Sequence, residues 1–286
     1  MILVTGASGK TGKAMIKALV ARGAAVRAFV RSSAHEAALK ALGVRETVTG
    51  EMDDPHALTR ATDGAQAIYH ICPNVSPHEV SFAKAVVDSA TRSGVSRLVY
   101  HSVLHPQIEA MPHHWNKMRV EEMLFGSPFD VTILQPTAYM QNSVAEWDSM
   151  VRFGIYRVPY PIETRLSFVD LDDVAEAAAT VLTHAGHSGA TYELVGTSPL
   201  SQVEVAATFA QTLGKPVRAE AEPLDAWDCR VRAAGMDDYS RETLIKMFLA
   251  YARDGLKGNS NVLGWLLGRP PTSLAGFAAR IAAAQA

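Results

Sequence analysis

The sequence contains little cysteine, no excess of basic residues and no long apolar run. Its two cysteines, Cys72 and Cys229, are far apart and lack the spacing of metal ligands, which argues against a disulfide framework and a cysteine-bound zinc ion. Lys and Arg total 27 against 29 Asp and Glu, so the formal net charge is −2 and no nucleic-acid partner is expected. No apolar run approaches the ~18 residues of a membrane span.

A recognisable targeting signal is also missing. Met1 leads directly into an apolar, strand-like segment, without the basic residues that begin a secretory signal. Together with the scarce cysteine, this leads us to expect a cytoplasmic protein with no membrane partner.

What the sequence does contain is enough apolar material for a large core. Of its 286 residues, 48% are hydrophobic and 20% are charged, which excludes disordered and collagen-like chains. A chain of this length is expected to form one large domain or two modest ones.

Short apolar segments rich in β-forming residues alternate with amphipathic segments through the first half of the chain. Strands are predicted at 1–5, 25–30, 46–49, 67–71, 97–100 and 130–134. Helices are predicted between them at 11–22, 36–42, 57–62, 80–93 and 115–125. This alternation predicts an α/β fold, a doubly wound parallel sheet with helices on both faces.

The alternation weakens beyond Pro136. Gly154 and Pro159-Tyr160-Pro161 predict irregular chain, followed by a helix at 171–183 and a strand at 191–195. Further helices are predicted at 202–213, 224–234, 241–253 and 273–284. We therefore expect one domain over residues 1–142, to which about 167–196 return, and a smaller, mostly helical domain over residues 143–286.

The clearest motif is a glycine-rich loop between the first strand and the first helix, Gly6-Ala7-Ser8-Gly9-Lys10-Thr11-Gly12. Glycines at this spacing permit a tight turn, a close approach of the backbone to a pyrophosphate and close packing of helix on strand. Free N–H groups at the helix start would face the phosphate charge. Glycines also serve ordinary turns, but this context favours dinucleotide binding, with contacts from Gly6, Ser8, Gly9, Lys10, Thr11 and Gly12.

The end of the second strand discriminates between NAD and NADP. An acid there would bond the ribose 2′-hydroxyl of NAD, whereas this chain has Arg31-Ser32-Ser33. A guanidinium and hydroxyls suit a 2′-phosphate, so NADP(H) is the expected cofactor; the alternative is that Arg31 is merely solvated. Further cofactor contacts are expected after the third and fourth strands, from Glu51, Met52, Ile71, Cys72 and Pro73.

Several segments resemble the NmrA-like group of atypical short-chain dehydrogenases. They are residues 4–12, 29–31, 100–105, 114–124, 134–139, 167–175 and 263–273. The resemblance covers nearly the whole chain and implies a Rossmann fold that binds NADP. The group includes NADPH-dependent bacterial quinone and dye reductases, plant reductases of aromatic ethers, and regulators that bind NADP. The resemblance implies the cofactor more firmly than it implies the reaction. A homodimer is possible.

The resemblance directs attention to the fifth strand and the helix after it. Other short-chain dehydrogenases place a Ser there, followed by Tyr-x-x-x-Lys, whose Tyr donates a proton. This chain keeps Ser102 and Lys117 but has His113 at the Tyr position, one helical turn from Lys117. We expect Lys117 to lie at the nicotinamide ribose and stabilise developing negative charge. Ser102 would bond substrate or cofactor, and His113 would donate a proton near neutral pH.

Each of these residues also has a plainer interpretation. Lys117 could be a surface lysine paired with Glu121 at i,i+4, Ser102 could be a turn residue, and His113 could lie in a loop because Pro112 precedes it. A metal ion is not expected, since His101 and His105 lack helical context and a third ligand.

Substrate contacts are expected just beyond Pro136, which should itself lie near the cofactor, from Tyr139, Met140 and Asn142. Later aromatic residues in less regular chain suit either a flat, apolar substrate or an ordinary core; they are Trp147, Phe153, Tyr156, Tyr160 and Trp227. Two functions compete: an NADPH-dependent reductase of a quinone or aromatic carbonyl compound, and a non-catalytic NADP(H)-sensing regulator. Lys117 and Ser102 favour the reductase, whereas the missing Tyr favours the regulator.

Overall fold

The structure, a computed structural model, describes residues 1–285. Its strands are β1 (Ile2–Val4), β2 (Val26–Val30), β3 (Glu46–Thr49), β4 (Ala67–His70), β5 (Arg97–His101), β6 (Asp130–Pro136), β7 (Ala138–Tyr139), β8 (Ile155–Val158), β9 (Phe168–Val169), β10 (Thr191–Leu194) and β11 (Arg218–Ala221). Its helices are α1 (Lys10–Ala21), α2 (Glu36–Ala41), α3 (Pro55–Thr62), α4 (Glu79–Arg92), α5 (Pro112–Phe125), α6 (Trp147–Phe153), α7 (Leu171–Thr183), α8 (Gln202–Leu213), α9 (Leu224–Ala233), α10 (Asp238–Asp254), α11 (Asn261–Leu267) and α12 (Leu274–Gln285).

Seven strands form one parallel sheet in the order β10-β6-β5-β4-β1-β2-β3. The strand β1 pairs in parallel with both β2 and β4. The chain therefore builds outward on one side of β1 and then crosses to the other side, which places a topological switch point between β1 and β4. The predicted doubly wound α/β fold is confirmed. The carboxyl ends of β5, β4 and β1 lie side by side along this edge of the sheet, where such sheets bind ligands.

Apolar side chains from the sheet and from α3, α4 and α5 form the core on one sheet face. Leu3, Ile68 and Leu98 come from β1, β4 and β5, and each is at most 1% exposed. Leu58 and Val86 contribute from the helices with no exposed surface. Burial of each such side chain stabilises the fold by about 1.5–3 kcal/mol, so this core fixes the strand ends that carry the candidate site.

The chain divides into two compact units. The first comprises residues 1–108, 113–135 and 174–192, and the second comprises 109–112, 136–173 and the remainder from 193. The second unit contains two small two-stranded sheets, β11-β8 and β7-β9. Its α8 begins with a capping box, in which the Ser201 side chain and Glu204 satisfy each other's backbone N–H groups.

The structure differs from the sequence prediction mainly in the second unit. Residues expected in irregular chain lie in regular elements: Trp147 and Phe153 in α6, Tyr156 in β8 and Trp227 in α9. Trp227 packs with Val231 and Phe248 in a buried cluster against which Tyr160 also packs. Trp227 and Tyr160 therefore belong to an ordinary core.

Among residues 1–285, no helix combines the length and the apolar character needed to cross a membrane.

Candidate functional site

The glycine loop requires glycine at two positions for steric reasons. Gly6 has φ +59°, and a Cβ there would lie 2.9 Å from the Ile71 carbonyl oxygen. A Cβ on Gly12 would lie 2.3 Å from the Gly6 carbonyl oxygen, closer than any real contact. The helix α1 begins directly after Gly9, which supplies no side-chain cap, and its first turn has no acid. Its first N–H groups are therefore available to an anion, as a pyrophosphate would require.

The chain after β2 adds cationic and hydroxyl groups on the same first unit. Arg31, Ser32 and Ser33 are exposed, and Arg31 has no ion-pair partner within the described part of the chain. Ser32 Oγ accepts a hydrogen bond from the Ala34 N–H at 3.2 Å, which leaves its own hydroxyl proton to donate. Lys10 is exposed as well. These groups could bind a phosphate without breaking an existing ion pair.

The residues expected to flank the middle of the cofactor differ in their exposure to solvent. Glu51 and Pro73 are exposed, whereas Met52, Ile71 and Cys72 are buried. Burial raises the pKa of the Cys72 thiol, so it stays protonated at neutral pH. The strand-end chain at residues 71–73 thus offers backbone and apolar contacts more than ionic ones.

Lys117 lies in the second turn of α5 and is held at the end of β5. Its Nζ donates to Glu79 Oε1 at 3.0 Å and to the His101 carbonyl oxygen at 3.2 Å. It also lies 5.3 Å from the centre of the Tyr100 ring. The expected alternative partner, Glu121, is not the one that Lys117 contacts. Lys117 is thus a partly buried, oriented cation, with a side chain 16% exposed.

The partner Glu79 begins α4 and is buried. Its Oε1 also accepts a hydrogen bond from the Tyr100 hydroxyl at 2.7 Å. Burial and the charge of Glu79 raise the pKa of Tyr100 well above its usual value, so the phenol remains protonated. The Glu79 carboxylate therefore joins three elements, α4, β5 and α5, at the carboxyl edge of the sheet.

Ser102 follows β5 and joins a second buried carboxylate. Its Oγ forms a hydrogen bond with Glu121 of α5, and Gln135 Nε2 of β6 lies 3.0 Å from each carboxylate oxygen of Glu121. Ser102 is 2% exposed and Glu121 4%. Burial raises the pKa of Glu121, while the hydrogen bonds from Ser102 and Gln135 and the charge of Lys117 oppose the rise. This cluster fastens α5, and with it Lys117, to the ends of β5 and β6.

His113 lies in the first turn of α5, directly after Pro112, and is not a loop residue. Its ring meets His114 edge-on, with centres 4.6 Å apart. Burial lowers the pKa of His113 to about 3, helped by the nearby charges of His114 and Lys117. The neutral imidazole therefore prevails at pH 7, and the expected imidazolium proton donor is not populated there.

The remaining histidines of the strand ends serve as hydrogen-bonding groups. His101 Nδ1 lies 2.6 Å from the Tyr69 hydroxyl, and burial lowers the pKa of His101 to about 3. His70 Nδ1 lies 2.9 Å from Thr5 Oγ1, and burial lowers the pKa of His70 to about 4. No group of three or more potential metal ligands is found within residues 1–285.

The residues expected to contact substrate lie in the second unit. Pro136 ends β6, Tyr139 pairs with Val169 of β9, and Met140 is 1% exposed. Asn142 is exposed. The neighbouring Gln141, which sequence reasoning missed, donates through Nε2 to Asp170 at 2.7 Å and accepts the Leu171 N–H at 3.1 Å through Oε1. Gln141 therefore fixes the segment that follows Tyr139 to the start of α7.

Sequence reasoning also missed Glu79, Glu121 as a partner of Ser102, and Gln135. An acid in the first turn of a helix normally complements the helix dipole at the surface, so Glu79 carries no sign of burial in the sequence. A weak signal for Gln135 was available, since it is a polar residue at the end of an apolar strand.

The NmrA-like family model matches residues 1–269. The chain is 29% identical to the NAD(P)H azoreductase of Xenophilus azovorans, with 99% of both proteins covered. It is 28% identical to quinone oxidoreductase 2 of Escherichia coli strain K12, with 96% of both covered. The crystal structure of an Escherichia coli NADPH-dependent quinone oxidoreductase complexed with NADPH superimposes with a TM-score of 0.86 at 26% identity, covering 98% of this chain and 99% of that one. The chain belongs to the NmrA-like family.

Proposed function

We propose that the protein is an NADP(H)-dependent oxidoreductase that reduces a quinone or another aromatic carbonyl compound by hydride transfer. The observation that carries the proposal is the oriented Lys117 cation at the carboxyl edge of the sheet. At the same edge, the loop between β1 and α1 has the close backbone approach that suits a pyrophosphate. The family's azoreductase and quinone oxidoreductase relatives support the same reaction class.

The residues present fit NADP(H). The uncapped start of α1 and the close approach enforced at Gly6 and Gly12 would hold the pyrophosphate, and Arg31 with Ser32 would hold the 2′-phosphate. When bound, the dihydronicotinamide would supply a hydride, which carries two electrons and one proton, and the second proton that completes the hydroquinone or alcohol would come from solvent.

The protein's own residues supply orientation and charge. Lys117 donates a hydrogen bond from a fixed position to the oxygen on which negative charge develops. Ser102 and Glu121 fix α5 against the strand ends, so that Lys117 needs little reorganisation during the reaction. His113 is a neutral imidazole in the first turn of α5, and Tyr139, Met140 and Asn142 are proposed to contact the substrate.

A direct experiment is to follow NADPH absorbance while purified protein is mixed with quinones, azo dyes and aromatic carbonyl compounds. We expect oxidation of NADPH with at least one quinone. Should a broad panel give no turnover while NADPH alters association with another macromolecule, the regulator would replace the reductase. Light scattering in the same preparation tests whether the protein forms the homodimer that the family resemblance leaves open.

Replacement of Arg31 by Asp is expected to weaken NADP binding by about ten- to a hundredfold, because a charged hydrogen bond contributes ~1.5–3 kcal/mol and the new carboxylate repels the 2′-phosphate. NAD binding should be kept or improved, and isothermal titration with both nucleotides measures the change. Arg45→Asp is the matched control, since Arg45 is also exposed but precedes β3. Equal affinity of the parent protein for NAD and NADP would contradict the assignment.

A further inference from the structure

The charge of Lys117 is compensated by one particular carboxylate. Glu79 is 3% exposed, and its Oε1 lies 3.0 Å from Lys117 Nζ. The other groups close to Glu79 are neutral: the Tyr100 hydroxyl donates to the same oxygen at 2.7 Å, and the Cys72 thiol stays protonated. The sequence alternative Glu121 accepts hydrogen bonds from Ser102 and Gln135 instead.

Two of the three N–H bonds of the Lys117 ammonium have protein partners, which leaves one for a ligand. An ammonium group has three N–H bonds. One donates to Glu79 of α4, and a second donates to the His101 carbonyl oxygen of β5 at 3.2 Å. Because these partners belong to two different elements, they fix the direction of the third N–H. The side chain keeps 16% of its surface exposed, which leaves access for a ligand oxygen.

We propose that Glu79 is a positioning residue for the reduction: it holds the Lys117 ammonium at the end of β5 so that a single N–H is presented to the reacting oxygen. This inference rests on the proposed function. Glu79 does not need to touch the substrate, because its effect passes through Lys117. A lysine held at two points keeps its orientation through the reaction, whereas a released lysine would turn towards water and lose that preorganisation.

The first test needs neither cofactor nor substrate. Reductive methylation of the full-length protein, followed by peptide mass spectrometry, measures how fast Lys117 reacts relative to the exposed Lys13. We expect Lys117 to react at least about tenfold more slowly in the parent protein and to approach the rate of Lys13 in Glu79→Ala, since its charge-assisted hydrogen bond is lost. Asp88→Ala is the matched control, because it removes the exposed partner of Lys84 on the same helix and should leave Lys117 protected.

The second test is a double-mutant cycle on quinone reduction. Glu79→Ala should lower kcat about tenfold or more when Lys117 is present and by less than about twofold in a Lys117→Ala background. Glu79→Gln, which keeps an acceptor oxygen, should recover part of the loss, and it replaces Glu79→Ala in both tests if the alanine variant does not fold. A merely structural role would give the same loss in both backgrounds.

Equal losses in the two backgrounds, or unchanged methylation of Lys117 in the Glu79 variants, would overturn the proposal. If neither a quinone nor another aromatic carbonyl compound is reduced, the reductase assignment fails, and the methylation result still decides whether Glu79 holds Lys117.

Discussion

Lowering the pH from 7 to 5 is expected to reduce the free energy of unfolding by several kcal/mol. His70, His101 and His114 are at most 6% exposed, and burial lowers their pKa values to about 4, 3 and 4. In the unfolded chain each titrates near about 6.5, so below that pH the unfolded state binds protons that the folded state refuses. Stability therefore falls as the pH drops, by up to about 1.4 kcal/mol per pH unit for each histidine, until the folded pKa values are reached.

Denaturant unfolding at pH 7, 6 and 5 measures this slope. Glu121 acts weakly in the opposite direction, because its raised pKa lets the folded protein take up a proton before the unfolded chain does. His70→Asn should reduce the slope by the contribution of one of the four histidines with lowered pKa values, His70, His101, His113 and His114, since Asn keeps a polar atom near Thr5 without a titratable ring. His56→Asn, at an exposed position, should leave it unchanged. A free energy of unfolding that stays constant from pH 7 to 5 would contradict the expectation.

The first unit could be predicted closely from sequence because local pattern and tertiary structure agree there. The strands β1 to β6 lie within one or two residues of their predicted positions, since each is a short segment with β-forming residues bounded by turn residues. In the second unit β8 and β11 were missed. The sequence of β11 is Arg218-Ala219-Glu220-Ala221, which contains no run of large apolar residues. It pairs with β8 in a two-stranded sheet and has no buried residue, so the sequence shows no pattern typical of a strand there.

The candidate site could be predicted in position but not in its partnerships. The family resemblance directs attention to Ser102 and Lys117, and the elements that carry them, the end of β5 and the helix after it, are local features that the sequence predicts. The ion pair of Lys117 with Glu79 joins residues 38 positions apart in sequence. The i,i+4 rule favoured Glu121, but Ser102 and Gln135 occupy that carboxylate, and only the packing of α5 on the strand ends decides between the two acids.

Replacement of Lys117 by Ala is expected to lower kcat for quinone reduction by one to three orders of magnitude. Lys117 lies where it can stabilise negative charge that develops on the substrate oxygen, and loss of an interaction made chiefly in the transition state raises the barrier by about 1.4–4 kcal/mol. If Lys117 served only to orient the cofactor, the substitution would mainly raise the KM for NADPH. Steady-state kinetics with a confirmed quinone, combined with titration of NADPH binding, separates these outcomes.

Two further variants make the Lys117 result interpretable. Lys117→Ala leaves the buried Glu79 carboxylate unpaired, which costs stability. The double variant Lys117→Met with Glu79→Gln removes both charges at similar volume, so it should fold well and yet remain as slow as Lys117→Ala. His113→Ala should have a smaller effect on kcat, because His113 is neutral at pH 7 and one helical turn away from Lys117.

A Lys117→Ala protein that binds NADPH normally and reduces the quinone at the parent rate would eliminate Lys117 as a catalytic residue. Any contribution of α5 to catalysis would then have to come from Glu121 and its hydrogen bond with Ser102.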